Sequence, residues 1–166
     1  QCQPADRRCA LSEAAIFSLI EELLPHRGTM LLLDRVAEFA ISALVAEYSP
    51  RTDAWYADAS GNMPGWIGVE LMAQSVAAHV AIGKRQAGLR PKMGALLGTR
   101  SYRMSSAAGS FSAGQVLRIC VEETFRDESG LAAYDCSIVQ NGESLATAVL
   151  KTFEPDDFEL FVQGSA

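Results

Sequence analysis

The sequence predicts an α+β fold in which a largely antiparallel sheet wraps one long apolar helix. Three observations lead there. The stretch Gly61–Gly83 opens on a breaker cluster, Gly61, Pro64 and Gly65, and continues through about eighteen mostly apolar residues, a tight turn opening onto a helix with apolar residues on nearly every face. From Met93 onward the pattern is strand-like, with alternation in Leu117, Ile119 and Val121 and again in Ala146, Ala148 and Leu150. Asn141-Gly142 between two such runs is a strong two-residue hairpin signal. A helix that is apolar all round needs cover on every side, so the sheet must curve about it.

Taken in order, residues 1–11 read as a loose N-terminal tail and 12–166 as a single domain. Ser12 is an N-cap with Glu13 in the first turn, Ile16 to Leu24 keep helical spacing, and Pro25 ends that helix. Leu31–Phe39 and Ile41–Tyr48 are β-compatible, Asp53–Asn62 is an irregular loop, and the central helix spans Trp66–Gln86. Ala95–Met104 is a strand that Gly94 and Gly98 bend or bulge. Val116–Arg126, Leu131–Gln140 and Ser144–Phe153 follow, the first two joined by a loop at Asp127–Gly130. One long helix wrapped by such a sheet is the hotdog arrangement.

The net charge is −6, so no nucleic-acid partner is expected, but the charges are segregated. Residues 1–70 hold ten acids and five bases, and 122–166 hold ten acids and two bases. Residues 71–121 hold no acid and seven bases: Lys84, Arg85, Arg90, Lys92, Arg100, Arg103 and Arg118. This predicts either a basic face for an anionic partner or a chance grouping on solvated surfaces. Arg100 and Arg103 alternate along a strand pattern and are the candidates for docking an acidic partner.

Cys2, Cys9, Cys120 and Cys136 show no CxxC spacing and no nearby histidines, so neither a metal site nor a disulfide is expected. A reducing, cytoplasmic setting fits them, and the opening QCQPADRR lacks the apolar core of a signal peptide. Trp66–Gly83 approaches membrane-spanning length, but Glu70, Gln74, His79 and the glycines favour a core helix and no membrane partner.

A carboxylate one turn into a buried helix is costly unless paired or used, which singles out Glu70. Gln74 lies one turn on along the same face and can hold it by an i,i+4 contact. Gly68 costs roughly 1 kcal/mol within a helix, pointing to close approach of another group. His79, nine residues after Glu70, falls on the opposite side and reads as a core or interface histidine. Asp58 is a weaker alternative acid.

Two segments carry a family resemblance. LPHRGTMLLLDRV (Leu24–Val36) and PGWIGVELMAQ (Pro64–Gln74) resemble the opening and helix motifs of bacterial 3-hydroxyacyl-acyl carrier protein dehydratases. With GALLGTRSYRM (Gly94–Met104), the chain also looks like a divergent branch associated with aryl polyene biosynthetic clusters. The resemblance implies a hotdog fold and a site shared across a dimer, with an acyl carrier protein or acyl-CoA as partner. It implies no cofactor of the protein's own, since phosphopantetheine arrives on the carrier.

It further implies Glu70 as the acid, Gly65 as the residue whose N–H polarises the thioester carbonyl, and Gln74 as the motif's glutamine. The family's histidine would stand fourteen residues before Glu70, where this chain has Tyr56, a poor base able to donate a hydrogen bond. His26 in the PHR motif has the structural role of shaping the turn, and is a stand-in base only if it reaches the tunnel. Three readings follow: a divergent dehydratase with an unassigned base; a non-catalytic subunit, homodimeric or heterodimeric, whose Glu70 completes a partner's site; and a thioesterase in which Glu70 activates water.

Overall fold

A computed structural model describes residues 20–105 and 109–164. A short helical turn, α1 (Ile20–Leu23), leads through a 3-10 turn at Gly28–Met30 into β1 (Arg35–Ala40) and β2 (Ala43–Tyr48). A two-residue strand, β3 (Met63–Pro64), and a 3-10 turn at Gly65–Ile67 precede the central helix α2 (Gly68–Gln86). The rest is β4 (Ala95–Met104), β5 (Ser110–Phe111), β6 (Leu117–Arg126), β7 (Leu131–Gln140), β8 (Glu143–Phe153) and α3 (Phe158–Gly164). Six strands form one antiparallel sheet in the order β1-β2-β6-β7-β8-β4, and β3 pairs with β5 separately.

The sheet's inner face is set by the alternation read from the sequence. Leu117, Ile119 and Val121 of β6 and Ala146, Ala148 and Leu150 of β8 are all buried, with Ile138 and Tyr134 between them on β7. They pack on Leu71, Met72, Val76 and Ile82 of α2, each such large side chain contributing roughly 1.5–3 kcal/mol on burial. The Asn141-Gly142 turn has φ of 51° and 82°, the double left-handed geometry that keeps the strand twist. Asp127 Oδ1 accepts from the N–H groups of Ser129 and Leu131, which closes the β6–β7 loop.

The structure changes several expectations. The helix is not covered on every side: Val69, Glu70, Ala73, Ala77 and Val80 form a half-buried stripe, and Trp66 at its head is 66% exposed. The unpaired edge of β4 adds exposed Leu96 and Leu97. Helix α2 is long and apolar enough to cross a membrane, but most of it is buried against the sheet. The strand starts at Arg35 rather than Leu31: the Leu32 N–H and the Met30 carbonyl bond to the Gln74 side chain, and pairing with β2 begins where the Asp34 N–H meets the Glu47 carbonyl. The 3-10 turns, β3, β5 and α3 carry too little periodic sequence to have been foreseen. The tail at 1–11 and residues 12–19 of the first helix lie outside the described residues.

Strand β4 bulges twice, between Leu96 and Gly98 as the glycines suggested, and again between Arg100 and Arg103. At the second bulge Ser101 takes a left-handed φ of 56°. Arg100 and Arg103 therefore sit opposite Val149 and Thr147, which are two residues apart on β8. Both arginines project from the outer face, and Tyr102 faces α2.

Candidate functional site

The segment after α1 is a tight cradle. Leu23 and Leu24 are buried anchors, and Arg27 Nη1 donates to the carbonyls of Leu24 (2.6 Å) and His26 (2.7 Å). Gly28 then turns the chain at φ +56°, and Leu32 and Leu33 return to the core. This fold-back carries His26 over the first turn of α2.

There, His26 Nε2 lies 3.4 Å from Glu70 Oε1, so the histidine of the PHR motif meets the helix acid within one chain. Both side chains are partly open, at 30% and 40% relative exposure, so solvent or a ligand can reach the pair. His26 Nδ1 is buried and has no hydrogen-bond partner among the described residues. Nε2 is therefore the ring nitrogen that faces both the carboxylate and the opening.

Gln74 braces the acid from a fully buried position. Its Oε1 accepts from the Leu32 N–H at 3.0 Å, which fixes the amide orientation. The Nε2 then donates to the Met30 carbonyl at 2.7 Å and to Glu70 Oε1 at 2.8 Å. One amide ties the cradle, the helix and the carboxylate together.

At the head of the helix the Gly65 N–H donates to the Gly109 carbonyl at 2.7 Å. The N–H expected to face a thioester carbonyl thus has a backbone partner in this conformation. The Tyr102 hydroxyl donates to the Gly65 carbonyl, reaching it over Gly68, whose missing side chain leaves room for that hydroxyl. Gly65 itself is packed on Met104 and Gly109. The Tyr102 hydroxyl is pushed up to about 12 by burial and so remains a donor.

Tyr56 lies elsewhere. Its hydroxyl bonds the Tyr48 hydroxyl and accepts from the Arg51 N–H at 3.1 Å. Among the described residues no hydrogen bond or ion pair links it to Glu70. With Tyr48, Thr29, Leu32, Arg51 and Trp55 it lines a cleft beside the cradle.

The sequence from residue 18 to 163 matches the profile of the ApeP-like family, described as ApeP dehydratase. The chain belongs to the ApeP-like dehydratase family. Among solved structures it is similar to the dehydratase heterocomplex ApeI:P from Xenorhabdus doucetiae, with 25% identity, a TM-score of 0.81, and coverage of 90% of this chain and 99% of that one. It also resembles a hypothetical thioesterase with coenzyme A from Streptococcus pneumoniae TIGR4, with 16% identity, a TM-score of 0.58, and coverage of 72% and 84%. The PaaI protein of Escherichia coli matches at 12% identity and a TM-score of 0.55, over 72% and 81% of the two chains. No curated protein matches the sequence. The fold is the hotdog fold.

In this ApeP-like chain the segregated charges are largely paired by the fold. Lys84 meets Glu154 (2.7 Å), Arg85 meets Glu22 (3.8 Å), Lys92 meets Asp156 (2.8 Å), and Arg118 meets Glu38 (2.5 Å) and Glu47 (3.3 Å). The acid-free middle third is therefore not one basic face. Arg90, Arg100 and Arg103 have no ion pair among the described residues.

Asp58 is a loop cap, its Oδ1 accepting from the N–H groups of Ser60 and Asn62. His79 is buried on the side of α2 away from Glu70, between Phe39 and Tyr134. No cluster of three or more metal-ligating side chains occurs among the described residues.

Proposed function

We propose that this ApeP-like chain dehydrates 3-hydroxyacyl thioesters carried on an acyl carrier protein or coenzyme A, with His26 as base and Glu70 as acid. The 3.4 Å contact between the two side chains carries the reading. His26 removes the α-proton, the protonated Glu70 carboxyl gives its proton to the 3-hydroxyl, and the Cβ–O bond breaks to release water and the 2-enoyl thioester. The proton gained by His26 then passes across the contact to Glu70 Oε1, which resets the pair. Gln74 holds the acid in place. Enolate charge develops at the thioester carbonyl, and the positive end of α2 stabilises it. With the Gly65 N–H engaged by Gly109, the next N–H of the turn, that of Trp66, is the donor we assign.

The half-buried stripe of α2 and the apolar edge of β4 support a companion reading, in which a second hotdog subunit covers this face. The similarity to a dehydratase heterocomplex makes a non-identical subunit the preferred partner. Arg100 and Arg103, side by side and without an ion pair among the described residues, supply docking charges for an acidic carrier.

The test uses the purified chain with a 3-hydroxyacyl pantetheine thioester, alone and with a co-expressed hotdog partner, following enoyl absorbance and thiol release. His26→Asn and Glu70→Gln are each expected to lower dehydration about 100-fold or more. Activity only in the presence of the partner, lost with Glu70→Gln but kept with His26→Asn, would move the base to the partner. Thiol release without enoyl product would replace dehydration by thioester hydrolysis.

A further inference from the structure

The Tyr48–Tyr56 hydroxyl pair holds one more proton than its surroundings accept. Tyr48 is 1% exposed and Tyr56 6%, and their hydroxyls bond each other. The Tyr56 oxygen also accepts the Arg51 N–H at 3.1 Å. Two hydroxyls carry two protons, and the mutual bond uses one. Among the described residues, no other acceptor bonds either hydroxyl.

Two arrangements are open to the pair. If Tyr56 donated to Tyr48, the spare proton would sit on the hydroxyl of the more deeply buried residue, where an unmade hydrogen bond is costlier. If Tyr48 donates, both lone pairs of the Tyr56 oxygen are filled, by Tyr48 and by Arg51, and the spare O–H belongs to Tyr56. The second arrangement leaves Tyr48 satisfied and directs the free donor to the residue nearer solvent.

Tyr56 and Tyr48 both line the cleft, with Thr29, Leu32, Arg51, Asp53 and Trp55, and Tyr56 is the more exposed of the two rings. Trp55 packs edge-on to Tyr56 with ring centroids 5.6 Å apart, and its indole N–H is taken by the Thr29 carbonyl at 3.0 Å. The wall is therefore a half-exposed aromatic surface, and Leu32 adds an apolar one. Arg51 and Asp53 offset each other in charge, so the cleft selects a neutral hydrogen-bond acceptor. The backbone of Leu32 is held by Gln74, which braces Glu70, so cleft and acid share one segment.

We propose that Tyr56 is a binding residue whose free O–H holds the carbonyl oxygen of an amide or thioester in this cleft. The choice of ligand rests on the dehydratase reading, under which the substrate arm carries both groups, but the binding is measurable without turnover. The probe is pantetheine, which has two amides and neither phosphate nor acyl group. The chain has two tryptophans, so the Trp66→Phe variant leaves Trp55 as the sole fluorophore beside the cleft. In that background a saturable fluorescence change is expected. Adding Tyr56→Phe should weaken binding about three- to tenfold, the loss of one neutral hydrogen bond. Adding Tyr48→Phe should change it less than twofold.

Glu70→Gln should bind pantetheine as the parent does while losing dehydration, which separates failure of this site from failure of the proposed reaction. No saturable binding, or equal binding after Tyr56→Phe, overturns the proposal, as does an equal loss after Tyr48→Phe. Should Tyr56→Phe fail to fold, the carbon-13 resonance of the Tyr56 Cζ in the unaltered chain decides. A shift on titration supports the site, and an unmoved resonance overturns it.

Discussion

The Gln74 side-chain amide nitrogen lies 2.8 Å from Glu70 Oε1, one helical turn away on the same face. Its other contacts make this a structural joint as well as a brace. Replacing Gln74 by Leu leaves the buried Leu32 N–H and the part-buried Met30 carbonyl without their partners. The expected loss is about 2–4 kcal/mol of stability, read as a lower urea midpoint at unchanged slope. A midpoint equal to that of the parent would show that 31–34 finds other partners.

The glycines at the head of α2 differ in what they must clear. An alanine at Gly65 meets the Met104 sulfur and the backbone carbonyl of Gly109, which cannot turn aside. Gly65→Ala is expected to cost about 2 kcal/mol or more. At Gly68 the nearest atom is the Tyr102 hydroxyl, the end of a side chain. Gly68→Ala should therefore be milder, and milder still when combined with Tyr102→Phe. A double-mutant cycle should give a coupling of about 1 kcal/mol, and zero coupling would contradict the packing described.

Much of this architecture was legible because it rests on periodicity. Alternation placed β6, β7 and β8 within a residue of their observed ends, and Asn141-Gly142 marked its turn through backbone preference alone. The site was legible in part. Glu70 and Gln74 stood out as polar residues on an apolar helix, but nothing local to His26 says that the Arg27-clamped fold-back carries it 44 positions along the chain to Glu70. The taken Gly65 N–H and the paired charges are equally tertiary facts. Segregation along a sequence says little about charge in space, because the acidic flanks return to the basic middle.

Arg100 and Arg103 test the outer face. The Ser101 bulge puts both on one side of β4, opposite Val149 and Thr147. If they dock an acidic carrier protein, the double change Arg100→Glu and Arg103→Glu should weaken its binding about tenfold or more at low salt. The effect should shrink markedly near 1 M salt, where the screening length falls to about 3 Å. Isothermal titration at both salt concentrations measures this, and equal affinities of parent and variant would exclude the face.

The buried histidine gives the stability a pH dependence of known sign. The His79 Nε2–H donates to the Ile41 carbonyl at 3.1 Å, and Nδ1 lies 3.1 Å from the Tyr134 hydroxyl, which also contacts Glu123 (2.7 Å) and Arg126 (2.9 Å). Burial holds the imidazole below its ordinary value of 6.5, an effect that Glu123 opposes only in part. The unfolded chain therefore takes up this proton at a higher pH than the folded one. Stability from His79 is complete above about pH 6.5 and is lost as pH falls through the lowered folded value, at up to about 1.4 kcal/mol per pH unit while the two states differ by one proton. Glu123 acts further down: burial raises it, but the hydrogen bonds from Arg126 and Tyr134 prevail and hold it below 4.5. Its stabilisation is thus lost only on further acidification. Urea midpoints from pH 7.5 to 5 should fall for the parent and stay flatter for His79→Asn, and parallel slopes would mean that His79 titrates alike in both states.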